Sequence, residues 1–131
     1  FSITLAEYAL GHGHRFIYAS SAATYGNGDQ GFNDNEDELD HLRPLNMYGY
    51  SKHLFDLWLK NQGVLDQVTG LKYFNVFGPN EGHKGRMASA IYHMLPVLKK
   101  EKVVRLFQSS DHLKYKDGEQ MRDFIYAKDA A

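Results

Sequence analysis

Apolar and polar positions follow two different periods along the chain. In the opening run, Phe1, Leu5 and Tyr8 recur three to four residues apart, which predicts the end of a helix terminated by Gly11. From His14 to Ser21 the apolar residues do not alternate cleanly with polar ones, the pattern of a strand buried on both faces in a parallel sheet. Ala22 to Pro44 is polar, with six acids between Asp29 and Asp40 and no base among them, and reads as a surface loop. Pro44 and Asn46 then open a helix to about Gln62, with Leu54, Phe55, Trp58 and Leu59 as its apolar stripe and Gly63 stopping it. A second buried strand is expected over Leu71 to Phe77, closed by the turn pair Gly78 and Pro79.

The same alternation continues. Met87 to Lys100 predicts a helix that Pro96 should kink or end. Val103 to Phe107 reads as a strand, Ser109 to Gln120 as a polar loop, and Asp123 to Tyr126 as a short last strand leading to Asp129, a cap position for a following helix. No internal repeat is present. Alternating helices and buried strands imply an α/β fold with a doubly wound parallel sheet.

Composition narrows the function classes. The chain has 131 residues, the size of one ordinary domain or part of a larger one, and its 43% hydrophobic content suits a packed core. It begins at Phe1, inside a helical run, so it is expected to start within a domain. The absence of cysteine excludes a disulfide framework and thiolate chemistry within these residues. No stretch approaches the roughly 20 apolar residues of a membrane span, so a soluble, cytoplasmic protein with no membrane partner is expected. The net charge of −1 conceals an asymmetry, −5 over residues 1–70 and +4 over 71–131. A nucleic-acid partner is not expected from so weak a basic signal; a local site for a small anion is.

Among the motifs, Gly26, Gly28 and Gly31 formally match the dinucleotide fingerprint, but an acidic, non-helical stretch follows where a helix N-terminus should receive phosphate, so a flexible turn is expected. Gly78 to Lys84 is one residue short of a Walker loop and has Gly85 where Ser or Thr is required. No metal site is expected, because neither His12 with His14 nor His83 with His93 has a third ligand at a suitable spacing. Tyr48 and Lys52 carry the stronger signal. Four residues apart at the start of a helix, they share a face, and the ammonium would favour the phenolate a general acid/base needs. Ser20 and Ser21 lie at the C-terminal end of a buried strand, the edge where open α/β sheets bind ligands. Asn75 is an amide in an apolar strand and needs a partner, structural or ligand. Lys84 stands near glycines in a loop, and Arg122 has the fork that suits a diphosphate.

Tyr18 to Gly26, Tyr48 to Lys52 and Lys72 to Pro79 resemble the successive signatures of the extended short-chain dehydrogenase/reductase family, the NAD(P)-dependent sugar-nucleotide epimerases and dehydratases. More narrowly, Pro79 to Ser89 and Leu106 to Tyr126 resemble the branch that epimerises an ADP-heptose at C6. The resemblance implies a partial Rossmann-like doubly wound sheet over residues 1–82 and pieces of a small substrate-binding lobe over 83–131, returning to the Rossmann-like domain near 123–131. It implies Ser21, Tyr48, Lys52 and Lys84 as catalytic residues, and Tyr48, Lys52 and Val76 as contacts of NADP, with NAD the alternative cofactor. Asn75, Arg86, His93, Phe107, Gln108, Ser109, Ser110 and Arg122 take substrate-contacting positions for a nucleotide sugar, and a homo-oligomer is implied. Two departures stand out: Arg86 replaces a small Ser, and Ala22 and Ala23 replace the Asp-Glu pair of dehydratases, which disfavours dehydration. The phosphate-binding glycine turn of the family lies outside these residues, so the segment alone is expected to be inactive. A rival within the family is a UDP-hexose 4-epimerase. A rival outside catalysis is a cofactor-sensing protein, against which the intact Ser21, Tyr48 and Lys52 argue.

Overall fold

A computed structural model describes residues 1–110 and 112–131; Asp111, inside the loop expected over Ser109 to Gln120, lies outside the described residues. They form two compact units, Phe1–Tyr73 and Phe74–Ala131.

In the first unit, helix α1 (Ser2–Gly11) is followed by strand β1 (Phe16–Ala19), helix α2 (Met47–Asn61) and strand β2 (Val68–Leu71). α1 ends at Gly11 as the sequence suggests, and the left-handed residue that turns the chain away is Gly13, at φ 67°. β1 and β2 pair in parallel, from Phe16 opposite Val68 to Ala19 opposite Leu71. Contrary to the two-sided burial expected of β1, only one face is covered. The Phe55 ring of α2 stands edge-on to Tyr18 at 4.9 Å, whereas Ile17 on the other face is 49% exposed.

Helix α2 starts where its cap predicts: the Asn46 side chain accepts the Gly49 backbone N–H at 2.8 Å. Its inward face carries His53, Asp56 and Leu59, all buried, so the stripe is rotated from the one expected, and Leu54 lies outward at 61% exposure. Gly49 permits a close approach. A Cβ there would sit 2.7 Å from the Ala23 carbonyl oxygen, so only glycine lets the first turn of α2 lie against the 3-10 turn Ala22–Tyr25.

The segment expected to be a surface loop, Ala22 to Pro44, holds much of the core instead. It contains two 3-10 turns, Ala22–Tyr25 and Glu36–His41, and Tyr25, Leu39 and Leu42 pack together with Ala22, Leu57 and Leu65. Its acids face water, and the Leu39 and Leu42 positions were too sparse to show a period.

The strand expected over Leu71 to Phe77 is broken into two. β2 ends at Leu71; Tyr73 N–H turns back to the Leu71 carbonyl at 3.0 Å, and Lys72 turns inward to a buried carboxylate. β3 (Asn75–Phe77) belongs to the second unit, where it pairs in parallel with β4 (Phe124–Tyr126), Asn75 opposite Phe124. Helix α3 (Ala90–Glu101) begins three residues later than expected, capped by the Ser89 hydroxyl on Tyr92 N–H at 3.1 Å, and runs through Pro96 without a break. Val103 to Phe107 is not a strand. No ladder partner pairs it among the described residues, and Val103, Leu106 and Phe107 are all more than half exposed.

Before α3, the turn Glu81–Met87 is anchored by one buried carboxylate. Glu81 accepts Gly78 N–H at 3.0 Å, Ser89 N–H at 2.7 Å and the Ser89 hydroxyl at 2.8 Å. These backbone donors, foremost that of Ser89, hold its carboxyl down at about 2.

Two outcomes follow from this packing. Leu59→Ala removes a fully buried side chain and should destabilise the fold by about 2–5 kcal/mol, while Leu54→Ala on the outer face should cost less than about 0.5, both read from denaturant midpoints. Because the folded-state carboxyl of Glu81 lies below its ordinary value of 4.5, its contribution is fully present above that pH and is lost as pH falls toward about 2. The protection of the Ser89 N–H against exchange, relative to its intrinsic rate, should therefore fall as pH drops between those values, and Glu81→Gln should abolish that loss of protection.

Candidate active site

Three of the expected site residues meet in the first unit, at the carboxyl end of β1. Ser21 follows the strand by two residues and is buried at 8% exposure. Its hydroxyl oxygen accepts Ala23 N–H at 3.2 Å as the cap of the Ala22–Tyr25 turn, which leaves its O–H as a donor. Tyr48 lies in the first turn of α2 and is 58% exposed. Lys52, one turn on, donates to the Ala19 carbonyl at 2.9 Å and holds its ammonium 6.0 Å from the centre of the Tyr48 ring. The helical spacing read from the sequence thus sets the Tyr48 ring beside an ammonium that is held at the strand end.

Ser20, the neighbouring hydroxyl, is occupied. It donates to Asp56 Oδ2 at 2.9 Å, and the same carboxylate accepts from the Tyr18 phenol at 2.8 Å and from the Lys72 ammonium at 2.7 Å. Burial, and then the Asp56 carboxylate, pushes the Tyr18 phenol above its ordinary range, so Tyr18 remains a neutral donor. His53, one turn before Asp56, is also buried; burial and then Lys72 lower its imidazole, which favours the neutral form. Sequence reasoning missed Asp56, Lys72 and Glu81. The available signal was a carboxylate three residues before Leu59 on a helix whose inward face is otherwise uncharged.

The second unit holds the remaining candidates, each in its own local frame. Asn75 is not mid-strand as expected but the first residue of β3, exposed, and its amide group donates to the Asp123 carbonyl at 3.0 Å. A structural partner therefore satisfies its Nδ2, while its Oδ1 remains an acceptor. Val76 is half-buried opposite Ile125. Lys84 and Arg86 lie in the Glu81–Met87 turn, with the Lys84 ammonium 3.6 Å from Glu81 and 42% exposed. Gly85 breaks that turn at φ 52°. His93 is exposed on α3 beside the Tyr92 ring. In the loop that follows, the Phe107 carbonyl accepts from Gly118 N–H and Ser109 N–H donates to Asp117 at 2.7 Å; Gln108 and Ser110 are exposed. Arg122 uses one Nη1 donor on the Met121 carbonyl at 2.7 Å and is otherwise exposed.

The residues at the end of β1 suit the nicotinamide-ribose end of a dinucleotide: an exposed phenol, an ammonium fixed beside it and a hydroxyl free to donate. The glycine run does not suit its pyrophosphate. Gly26, Gly28 and Gly31 N–H donate to the Ala23, Tyr25 and Gly28 carbonyls, and the Phe32 ring covers Gly28, so no cradle of free amides exists there. Among the described residues, no three metal-ligating side chains cluster and no helix is long and apolar enough to cross a membrane.

The sequence pattern of the NAD dependent epimerase/dehydratase family matches residues 1–131. A relative from Nitratidesulfovibrio vulgaris named ADP-L-glycero-D-manno-heptose-6-epimerase is 55% identical over 98% of the chain and 40% of the relative's length. One of the same name from Fusobacterium nucleatum is 53% identical over 88% of the chain and 35% of its own length. The chain thus spans about two fifths of the relatives it matches. The crystal structure of ADP-L-glycero-D-manno-heptose-6-epimerase from Helicobacter pylori superposes with a TM-score of 0.73 at 33% identity, over 98% of this chain and 37% of that one. A UDP-N-acetylglucosamine 4-epimerase from Methanobrevibacter ruminantium superposes at 0.72 with 26% identity, over 98% and 39%. By the extent of the family match, the chain belongs to the NAD dependent epimerase/dehydratase family.

Proposed function

We propose that this chain is part of an enzyme that epimerises an ADP-heptose at C6, in the synthesis of the heptose precursors of the lipopolysaccharide inner core. The observation that carries the reading is the convergence of Ser21, Tyr48 and Lys52 at the carboxyl end of β1. Support for the substrate comes from the names of the relatives that match nearly the whole chain.

The chemistry that a bound nicotinamide supplies is reversible hydride acceptance at the sugar carbon, with no net oxidation. The cofactor we assign is NADP. Lys52 binds the nicotinamide ribose, and Val76 adds an apolar contact. Tyr48 exchanges the proton of the reacting hydroxyl, and Ser21 orients that hydroxyl through its O–H donor. Inverting one carbon needs two proton transfers, for which Tyr48 and Lys84 are the two acid/base groups. Asn75, Arg86, His93, the Phe107 to Ser110 segment and Arg122 contact the sugar nucleotide, the free Arg122 donors being suited to its diphosphate. In this reading residues 1–82 serve the cofactor and 83–131 mainly the substrate, with 123–131 returning to the cofactor domain, in a cytoplasmic homo-oligomer.

A second reading is a UDP-hexose 4-epimerase, favoured by the nearly equal superposition on the 4-epimerase from Methanobrevibacter ruminantium. Turnover of UDP-hexose but not ADP-heptose would select it.

In the full-length enzyme, Tyr48→Phe combined with Lys84→Ala should abolish interconversion of the two ADP-heptose epimers, and a wild-type rate in that variant would remove both residues from the mechanism. Tyr48→Phe alone should lower kcat by about 100-fold or more, the usual contribution of a positioned acid/base. The 131-residue segment by itself should show no turnover in the same assay.

A further inference from the structure

Ser21 sits in a frame built on one carboxylate that does not touch it and is almost wholly withdrawn from solvent. Asp56, 2% exposed, accepts from Ser20, the residue before Ser21, and from Lys72. Lys72 also donates to the Thr24 hydroxyl at 2.8 Å, and Thr24 donates that hydroxyl to the Ser21 carbonyl at 2.8 Å. The Asp56 carboxylate therefore grips Ser21 from both sides along the chain, through Ser20 before it and through Lys72 and Thr24 after it. Its third bond, from Tyr18, fixes β1 itself. Asp56 stands one turn beyond Lys52 and two beyond Tyr48 on the same helix, so any shift of α2 relative to the strand end moves all three together.

We propose that Asp56 is a positioning residue that sets where the Ser21 hydroxyl lies relative to Tyr48 and Lys52, an inference that rests on the function proposed above. Stability alone is a weak account of this group, because an apolar side chain of similar volume would avoid the desolvation of a buried charge. A carboxylate adds direction, drawing three donors from β1, from the residue after β1 and from the residue after β2 to one point.

The test compares Asp56→Asn in the full-length protein, in wild-type and Ser21→Ala backgrounds, by amide hydrogen exchange and by ADP-heptose turnover. Exchange at Ala23 and Thr24, whose N–H groups bond to Ser21, should quicken by about tenfold or more, with exchange in β3 and β4 unchanged. kcat should fall by about tenfold or more with KM within about twofold, and that fall should vanish in the Ser21→Ala background, since paired effects of residues acting through each other are not additive. Unchanged exchange at Ala23 and Thr24, or an equal fold loss in both backgrounds, would overturn the proposal. If Asp56→Asn fails to fold, Ser20→Ala, which removes one bond of the frame, decides by the same two readings. If the unaltered protein turns over no sugar nucleotide, the proposed function fails and the exchange result alone judges Asp56.

Discussion

A carboxylate almost wholly withdrawn from water is the constraint on which the first unit depends. An isolated charge at 2% exposure would be far costlier than any packing gain around it. Asp56 is tolerable because an ammonium and two hydroxyls converge on it, the hydroxyls from the end of β1 and the ammonium from the residue after β2. The requirement runs in both directions. β1 must end where Ser20 can reach it, β2 must end where Lys72 can turn inward, and α2 must present the right face to both. The break of the chain after Leu71, the rotation of the α2 stripe toward His53, Asp56 and Leu59, and the placing of Ser21 beside the helix start are all parts of that one arrangement.

The second unit uses the same device at smaller scale. Glu81 takes the Gly78 and Ser89 amides and the Ser89 hydroxyl, so the two ends of the turn that carries Lys84 are tied to a single buried group. The partners differ in kind, and so does the consequence. Asp56 is neutralised by a cation and gathers side chains from distant elements, whereas Glu81 is stabilised chiefly by backbone donors within a dozen residues and shapes a local turn.

Much of this was legible in the sequence where the signal was local. Asn46 marks the start of α2, Gly63 its end, and the spacing of Tyr48 and Lys52 alone places phenol and ammonium on one face. What was not legible depends on distant partners. Leu71 to Phe77 is a continuous apolar run, and only Lys72's attachment to Asp56, sixteen residues away, shows why it breaks. Val103 to Phe107 has the composition of a strand but no neighbour to pair with among the described residues, and strand propensity cannot supply one. The acidic stretch from Asp29 to Asp40 conceals Leu39 and Leu42, because two apolar residues in a polar segment have no period to reveal which way they face.

The motif Tyr48 to Lys52 also shows why spacing alone is weak evidence and spacing within a frame is strong. A tyrosine and a lysine four residues apart occur on many exposed helices, where neither is held to anything. Here the Lys52 ammonium is bound to the end of β1, and Gly49 between the two residues lets the helix lie against the turn that Ser21 caps, at a separation no larger residue would allow. Remove the close approach and nothing holds the first turn of α2, with its phenol and ammonium, against the turn that Ser21 caps. In the function proposed above, the three side chains depend on the glycine and the buried carboxylate that frame them.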